Sequence, residues 1–281
     1  MKHPAEMVVH QYLDKASKGE TEISTSTVNQ ICKDVREAVV KQFGGGNKRG
    51  EFAFRMSNVG RPSCQLWFEK NRPQEALPKP TTFIMNMVLG DIVEAVFKGI
   101  LKEAGVKYED PKRVTLDMGE DSPQRVVTGE YDLVIDGAVD DVKSASDWSY
   151  RNKFDSFDTL RNGDAFGYVS QLAGYASASG KKAGGWWVVN KANGDIKYVP
   201  SDIDVKQEVT KIKANMKKAS SDTFERCYEP VEETFRGKPT GNKILPITCR
   251  FCSYRKSCHS TLQELPQKMS KAKDPKIVAY V

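Results

Sequence analysis

The spacing of apolar residues predicts helices over much of the chain. Between residues 82 and 104, apolar side chains recur every three or four positions, which is the spacing of one helix face. Thr81 or Thr82 would cap this helix, and Glu94 stands one position off its apolar stripe. That stripe consists of Met85, Val88, Leu89, Ile92, Val96 and Ile100. Further helices are predicted over residues 1–43, 61–77, 158–179 and 202–218.

Alternation with a period of two predicts strands in other parts of the chain. Residues 112–118 and 125–143 alternate in this way, and residues 183–199 predict a hairpin that turns at Asn193-Gly194. A second hairpin is expected at Asp136-Gly137, because Asp-Gly between two β-prone runs is a strong turn signal. Helices and strands together, without an internal repeat or a long linker, predict a single α/β domain elaborated at both ends.

The turn at residues 136–137 would place two carboxylates face to face. Antiparallel pairing around it sets Ile135 opposite Ala138 and therefore Asp132 opposite Asp141. Like charges directly opposite each other destabilise a sheet unless a cation lies between them. Mg²⁺ and Mn²⁺, which prefer carboxylate oxygens, are the candidates for this cation.

Two interpretations of these carboxylates stay open at this point. Side chains alternate along a strand, so Lys143 shares the face of Asp141, with Glu130 across from it. The hairpin is then either a metal-binding edge or a solvated edge whose charges Lys143 balances. In addition, a one-residue slip in the pairing would set Asp140, rather than Asp141, opposite Asp132.

The charge balance is compatible with a polyanionic partner. The 281 residues carry 43 Lys and Arg against 37 Asp and Glu. Either a polyanion or a solvated basic surface would account for the three places where the positive charge gathers. No apolar run reaches about 18 residues and no signal peptide is evident, so we expect a cytosolic protein. The basic groups are Lys48, Arg49, Arg55 and Arg61 beside a Gly-rich turn, Arg250, Arg255 and Lys256, and Lys268, Lys271, Lys273 and Lys276.

Six cysteines in a reducing compartment indicate metal binding more often than disulfides. Cys249, Cys252 and Cys258 form a C-x₂-C-x₅-C motif that can grip one metal centre. A four-coordinate site needs one more ligand, either nearby His259, which would indicate zinc, or Cys64 from far upstream. Thiolate chemistry alone does not separate zinc from an iron–sulfur cluster. The remaining cysteines, expected to be buried small side chains, are Cys32 and Cys227.

The hairpin and the cysteine motif together resemble the RecB-like branch of the PD-(D/E)xK nuclease superfamily. The resemblance is greatest to members with a C-terminal iron–sulfur cluster, such as AddB-type and CRISPR-adaptation exonucleases, and to similar phage-encoded proteins. The family's motifs occur here in the family's order, over about residues 58–258. They are Gly90-x-x-x-Glu94, Gly129-x-x-Asp132, Asp141-x-Lys143, Gln171-x-x-x-Tyr175, and Cys64 with the C-x₂-C-x₅-C motif.

The resemblance implies a restriction-endonuclease-like core, a mixed sheet flanked by helices, with an iron–sulfur element that joins N- and C-terminal segments. The metal ligands that it implies for Mg²⁺ or Mn²⁺ are Glu94, Asp132, Asp141 and the backbone carbonyl of Val142. Lys143 would orient or deprotonate the attacking water, or stabilise the developing charge. Many relatives have histidine where this chain has Glu94, and a third carboxylate is also a good ligand for either ion.

The remaining roles follow from the same resemblance. Gln171 and Tyr175, on one face of a helix, would contact DNA near the metal. Cys64 would complete a [4Fe–4S] cluster with the three motif cysteines, zinc being the alternative occupant. The implied activity is metal-dependent exonucleolytic hydrolysis of phosphodiester bonds at DNA ends, in recombination, repair or DNA degradation. The alternative is a non-catalytic iron–sulfur or zinc subunit that binds DNA within a larger DNA-processing complex.

Three regions are expected on this basis. Residues 1–60 would form an N-terminal helical region with the basic Gly-rich loop, residues 61–260 the nuclease domain with its cluster element, and residues 261–281 a basic tail. DNA is the expected partner and no membrane association is expected. The expected location is the cytoplasm, which is the host's if the gene is phage-encoded.

Overall fold

The structure, a computed structural model, describes residues 3–44 and 51–281 and has a mixed α/β fold. The basic loop predicted around Gly45, Gly46, Lys48 and Arg49 lies outside these residues. Helices α1 to α9 are Pro4–Ser17, Thr25–Phe43, Ser63–Asn71, Thr82–Glu103, Phe157–Asn162, Tyr168–Ser179, Val205–Ala219, Ile247–Arg250 and Arg255–Cys258. Strands β1 to β10 are Lys112–Asp117, Val126–Tyr131, Leu133–Ile135, Ala138–Ala145, Lys182–Asn190, Ile196–Pro200, Val231–Phe235, Lys238–Ile244, Gln263–Pro266 and Ile277–Tyr280.

A four-stranded sheet in the order β3–β4–β5–β6 carries the positions of greatest interest. Strand β4 pairs antiparallel with β3 and parallel with β5, and β5 pairs antiparallel with β6. Both predicted hairpins are confirmed. The β3–β4 turn has positive φ at Asp136 (49°) and Gly137 (76°), and Gly194 (83°) lies between β5 and β6. Positive φ at both central residues is the turn geometry that Asp-Gly favours.

Two adjacent tryptophans of β5 anchor a core on each face of this sheet. Trp186 packs in one core with side chains of α6 and α7, and Trp187 packs in the other with side chains of α1 and α4. Both are 0% exposed. At about 25 cal/mol per Å² and about 200 Å² each, their burial stabilises the fold by about 5 kcal/mol apiece, before entropy is counted. Both rings are therefore core residues and offer no stacking surface.

The first sixty residues contribute to the same two cores instead of forming a separate region. Ala5 and Val9 of α1 lie in the core of Trp187, while Phe54, Met56 and Val59 lie in the core of Trp186. A domain boundary at residue 60 would therefore cut through both hydrophobic cores.

The last twenty residues are part of a sheet and do not form a tail. Strands β9 and β10 join β7 and β8 in the order β7–β8–β10–β9. Val278, Ala279 and Tyr280 are buried, and the Tyr280 hydroxyl donates to Glu233 over 3.0 Å. A domain boundary at residue 260 would therefore divide one sheet. The basic residues predicted for the tail, Lys268, Lys271, Lys273 and Lys276, lie between β9 and β10.

Helix α4 matches its predicted extent, but its buried face differs from the predicted stripe. Val88, Phe97 and Leu101 are buried, whereas Met85 (51% exposed) and Leu89 (42%) lie at the surface. Apolar residues occupy more than one side of this helix, so its spacing alone leaves the buried side undetermined. The packing of α4 on the sheet selects that side. None of the described helices is long and apolar enough to cross a membrane.

Two regions predicted to be helical each contain two helices. In the first, residues 1–43, the sequence offers Ser24, Thr25 or Ser26 as N-cap of the run from Val28 to Phe43. Ser24 is the cap of α2, where it accepts a hydrogen bond from the Thr27 N–H. Residues 158–179 contain α5 and α6, separated by a loop that ends at Gly167, where φ is 78°. A Cβ on Gly60 would lie 2.6 Å from the Gly167 Cα, so the two backbones touch. This close approach requires glycine and fixes the start of α6.

Candidate active site and cysteine cluster

The β3–β4 hairpin has the predicted register. Ile135 pairs with Ala138, so Asp132, which precedes β3, lies opposite Asp141. The Val142 N–H donates to Asp132 Oδ2 over 2.7 Å. The two carboxyl groups are also close enough to hydrogen-bond to each other, which the protonated Asp132 can do as donor. The one-residue slip is therefore excluded.

Asp140 points to the other face of β4 and has a structural role. It accepts hydrogen bonds from the Gly185 N–H (2.7 Å), the Tyr198 hydroxyl (2.8 Å) and the Trp187 indole (3.2 Å). Burial raises the pKa of Asp140 to about 6, although these donors favour its charged form. Because Asp140 is held on one face, Asp141 projects from the opposite face.

Helix α4 brings a third carboxylate to the hairpin. Gly90 lies against β4, where an added Cβ would be 3.6 Å from Ser144 Oγ. One turn later, Glu94 faces the aspartate pair. Burial raises the pKa of Glu94, and the charge of Asp132 raises it further. Lys98, four residues along, forms an ion pair with Glu94.

Lys143 completes this group from the same face of β4 as Asp141. Its ammonium forms an ion pair with Asp141 Oδ2 and lies 4.9 Å from the centre of the Tyr168 ring. Burial disfavours its charged form, but the carboxylates of Asp141 and Asp132 outweigh burial and raise the pKa of Lys143 above its ordinary value. Lys143 is therefore an ammonium in this state.

The electrostatics of the group favour an additional cation. Burial, followed by the charge of Asp141, raises the pKa of Asp132 to about 6. Burial also raises the pKa of Asp141, and Glu94 adds to this effect. Asp141 Oδ2 is buried, and its partner among the described residues is the ammonium of Lys143. Converging carboxylates of this kind suit a hard divalent ion, so the donor set fits Mg²⁺ or Mn²⁺.

The side chains would have to turn before they could hold such an ion. As they stand, no three His, Cys, Asp or Glu side chains in residues 3–44 and 51–281 are arranged to hold one. Glu94 is engaged by Lys98, Asp141 by Lys143, and Asp132 by the backbone of Val142. The protein's own cations and donors therefore take the place that an ion would occupy.

Glu130 does not belong to this group, and its predicted position across from Lys143 is wrong. Strand β2 pairs with β1 in a separate two-stranded sheet, which sets Glu130 opposite Arg113. The chain bends at Asp132, between β2 and β3, and this bend ends the hairpin pairing.

Helix α6 brings Gln171 and Tyr175 to the same region. The Gln171 amide donates to the Tyr175 hydroxyl over 3.3 Å, as expected for residues four apart on a helix. Burial raises the pKa of Tyr175 to about 12, with contributions from Asp141 and Asp132. A Cβ on Gly129 would lie 2.8 Å from the Tyr175 ring. Glycine at that motif position therefore leaves room for the tyrosine.

A second cluster joins α3 to the C-terminal cysteine motif. The Leu77 N–H donates to the Ser253 carbonyl over 2.8 Å. The ring of Phe68 stacks on that of Tyr254, with centroids 5.2 Å apart. The side chains that pack against these rings include Cys252 and Cys258.

The four cysteines implied as cluster ligands lie near enough to influence one another's pKa, although in residues 3–44 and 51–281 no three of them are arranged to hold a metal ion. Burial raises the pKa of Cys249 to about 11, and the nearby Cys258 and Cys227 contribute to this increase. Burial, then Cys249 and Cys258, raise the pKa of Cys252 to about 11. A hydrogen bond with Cys227, followed by burial, raises the pKa of Cys64, and Cys258 adds to this. All six cysteines of the chain are free thiols.

Cys227 is a fifth member of this cluster, which the sequence reasoning missed. Its Sγ accepts a hydrogen bond from the Cys64 N–H over 3.1 Å and lies 3.3 Å from Ser63 Oγ. Arg226 donates to the carbonyl of Cys258 over 3.1 Å and so holds this segment against the motif. No local pattern around Cys227 signals its position, because only the fold brings it to α3.

His259 and Cys32 complete the inventory of candidate ligands. His259 is 2% exposed, and its Nε2 has no hydrogen-bond partner among the residues that the structure describes. Burial lowers the pKa of His259, and the charge of Arg226 lowers it further. A lower pKa favours the neutral imidazole, which is the form that binds metals. Cys32 is exposed on α2, so the prediction that it is buried is wrong.

Comparison with known proteins does not assign the chain to a family. Neither a known protein family nor a curated protein sequence matches it. A solved protein described as "Crystal structure of SSO0001" is similar over 86% of this chain and 100% of its own, with a TM-score of 0.47 and 12% identity. A similarity of that size carries no argument about fold or function.

Burial of Asp132 beside Asp141 predicts that one substitution stabilises the fold in a pH-dependent way. Because folding raises the pKa of this carboxyl from 3.8 to about 6, the folded state binds its proton more tightly. The wild type should lose stability as pH rises from about 4 to about 6 and stay lower above that range. Asp132→Asn mimics the protonated form and should raise the melting temperature in EDTA at pH 7.5 but not at pH 4. An equal effect at both pH values would contradict the assignment.

Proposed function

We propose that this protein is a metal-dependent deoxyribonuclease of the RecB-like PD-(D/E)xK type that acts at DNA ends. The observation that carries the proposal is the convergence of side chains from α4, the bend before β3, and β4. These side chains are those of Glu94, Asp132, Asp141 and Lys143. A solvated charged edge would leave these groups in water, with ordinary pKa values, and would not bury Asp141 against Lys143.

The carboxylates would act as the metal ligands. Glu94, Asp132 and Asp141 would hold one or two Mg²⁺ or Mn²⁺ ions, with the backbone carbonyl of Val142 as a further ligand. Such an ion, when bound, lowers the pKa of a coordinated water and neutralises charge on the phosphate oxygens. For this, Asp141 has to exchange its contact with Lys143 for a contact with the ion.

Lys143 would then be available for the reaction. In the absence of a divalent ion, the carboxylates raise its pKa and hold it as an ammonium. Neutralising those carboxylates removes the cause of this shift, so the pKa of Lys143 falls. The side chain can then serve as an ammonium against the phosphate or, once deprotonated, as a base toward the attacking water. Gln171 and Tyr175, on the same side, would contact the DNA strand.

The cysteine cluster would hold a [4Fe–4S] centre through Cys64, Cys249, Cys252 and Cys258. The gathering of these thiols beside stacked aromatic rings supports this assignment. Its role would be structural, because it would tie α3 to a segment that lies about two thirds of the chain further on. Metal binding of this kind contributes directly to the free energy of folding.

Zinc is the second candidate occupant of this site. The buried Nε2 of His259, which has no hydrogen-bond partner within the described chain, favours a site of three cysteines and one histidine. Iron and zinc analysis of the purified protein separates the two.

Removal of the charged groups on β4 should abolish cleavage while the fold persists. We expect Asp141→Asn and Lys143→Met each to lower the rate of DNA hydrolysis in Mn²⁺ at least about 100-fold, since one loses a metal ligand and the other a proton donor or acceptor. The assay uses end-labelled linear single- and double-stranded DNA beside closed circles. Exonuclease activity degrades only the linear forms.

A matched control lies in the same hairpin. Asp136→Asn changes an exposed carboxylate of the turn, where φ is 49°, and asparagine tolerates this conformation. Its cleavage rate should equal that of the wild type. Mn²⁺ should raise the melting temperature of the wild type and of Asp136→Asn, but not of Asp141→Asn. Full activity in Asp141→Asn or Lys143→Met would refute the site, and DNA binding without cleavage by the wild type would favour the non-catalytic alternative.

Substitutions at the cysteines should distinguish those that bind the iron–sulfur centre from those that only lie near it. Anaerobically purified wild type should be brown and contain iron, and Cys252→Ser and Cys64→Ser should lose both properties and become less soluble. Cys32→Ser, at an exposed position on α2, is the control and should retain the iron. Cys227→Ser should also retain it if Cys64 is the fourth ligand. Loss of iron in Cys227→Ser but not in Cys64→Ser would assign the fourth position to Cys227.

A further inference from the structure

A row of aromatic rings leads from Lys143 to the C-terminal cysteine segment. We call Phe154, Tyr168, Phe166 and Phe251 the aromatic row. The ring centroids of Phe154 and Tyr168 are 6.0 Å apart, those of Tyr168 and Phe166 are 5.7 Å apart, and those of Phe166 and Phe251 are 5.9 Å apart. The first two pairs are nearly parallel, with interplanar angles of 20° and 18°.

The outer half of the row is exposed to solvent. Phe154 is 3% exposed and anchors the row in the core, whereas Phe166 is 43% and Phe251 is 66% exposed. Two neighbouring phenylalanines as exposed as these contribute little to the core, because exposed apolar area gains nothing from burial. Such a feature beside a site of polar chemistry is typical of a binding surface.

Positive charge accompanies the rings along the inner half of the row. The ammonium of Lys153 lies 4.2 Å from the centre of the Tyr168 ring and 4.7 Å from that of Phe166. Lys143 of the candidate active site lies 4.9 Å from the Tyr168 ring. A ligand on this surface therefore meets cations at one end and exposed aromatic rings at the other. Phosphate and nucleobase groups of a nucleic-acid strand complement that order.

We infer that Phe166 and Phe251 stack on unpaired nucleobases of a single strand whose phosphates pass Lys153 on the way to Lys143. This inference rests on the proposed nuclease function and adds the form of the substrate at the site. In the interior of a duplex, both faces of each base are covered by neighbouring bases, so an exposed ring on a protein surface has no face to stack on. Unpaired bases offer their faces, and aromatic platforms bind them with little dependence on sequence.

The same arrangement gives the cysteine segment a part in substrate binding. Phe251 stands between Cys249 and Cys252, and its ring meets Phe166 at the start of α6. The conformation of that segment therefore sets the spacing of the two rings.

Binding measurements in Ca²⁺ in place of Mn²⁺ test the inference without cleavage. The probes are a fluorescent oligo(dT) of about 15 nucleotides and a relaxed, covalently closed circle of duplex DNA, which has neither ends nor unpaired bases. Phe166→Ala and Phe251→Ala should each weaken oligo(dT) binding about tenfold, the effect of losing one base–aromatic stack. Binding of the closed circle should be unchanged. Phe43→Ala, which removes a 58% exposed phenylalanine on α2, is the matched control and should bind both probes normally.

A tryptophan variant reports stacking directly. Phe251→Trp should retain tight binding of oligo(dT), and its added fluorescence should be quenched by oligo(dT) but not by the closed circle. Iron content is measured in each Phe251 variant. If a Phe251 variant loses its iron, the binding result for Phe166→Ala, which lies outside the cysteine segment, tests the inference instead. Equal weakening of both probes, or none, would overturn the inference.

The outcomes separate this inference from the proposed function. A protein that cleaves DNA but binds oligo(dT) equally well without either ring would refute the stacking surface alone. A protein that binds oligo(dT) through the rings, yet cleaves no DNA in Mn²⁺ or Mg²⁺, would refute the nuclease proposal alone.

Discussion

Repulsion among carboxylates gathered around strand β4 is the constraint on which the candidate site depends. Asp132 and Asp141 lie beside the ammonium of Lys143, Glu94 pairs with Lys98, and burial opposes the ionisation of each carboxyl group. Two like charges about 4 Å apart repel by about 4 kcal/mol at an effective dielectric constant of about 20. The packing of α4 and of the two tryptophans of β5 has to outweigh this repulsion. Lys143 offsets part of it, and a divalent ion would offset more.

Helices and strands deliver the groups of the site, except for Asp132, which lies at the bend between β2 and β3. Gly90 lets α4 lie close to β4, and Gly129 leaves room for Tyr175 of α6, because neither residue has a side chain in the way. The cysteine cluster lies apart from the carboxylates, yet the aromatic row connects the two, because Tyr168 touches Lys143 and Phe251 belongs to the cysteine motif. The two clusters are thus neighbours along one surface, although the chain separates them widely.

Local chemistry made part of this arrangement predictable. The Asp136-Gly137 pair determines its turn and, through the turn, the register that sets Asp132 opposite Asp141. The buried face of α4, the strands of the last twenty residues and the position of Cys227 were not predictable in this way. Each depends on which distant surface is available for packing, and neither periodicity nor a short motif encodes that. Family resemblance named the candidate residues but left their contacts undetermined.

Asp140 and Asp141 are chemically identical neighbours with opposite environments. Three donors hold the first in place on one face of β4, while the second meets a lysine and two acids on the other. Deletion of a single residue between the turn and this pair would move Asp141 to the anchored position, where the same donors would hold it. Val142, which has no carboxylate, would then take the position that Asp141 leaves. Length, as much as composition, is therefore under constraint in this strand.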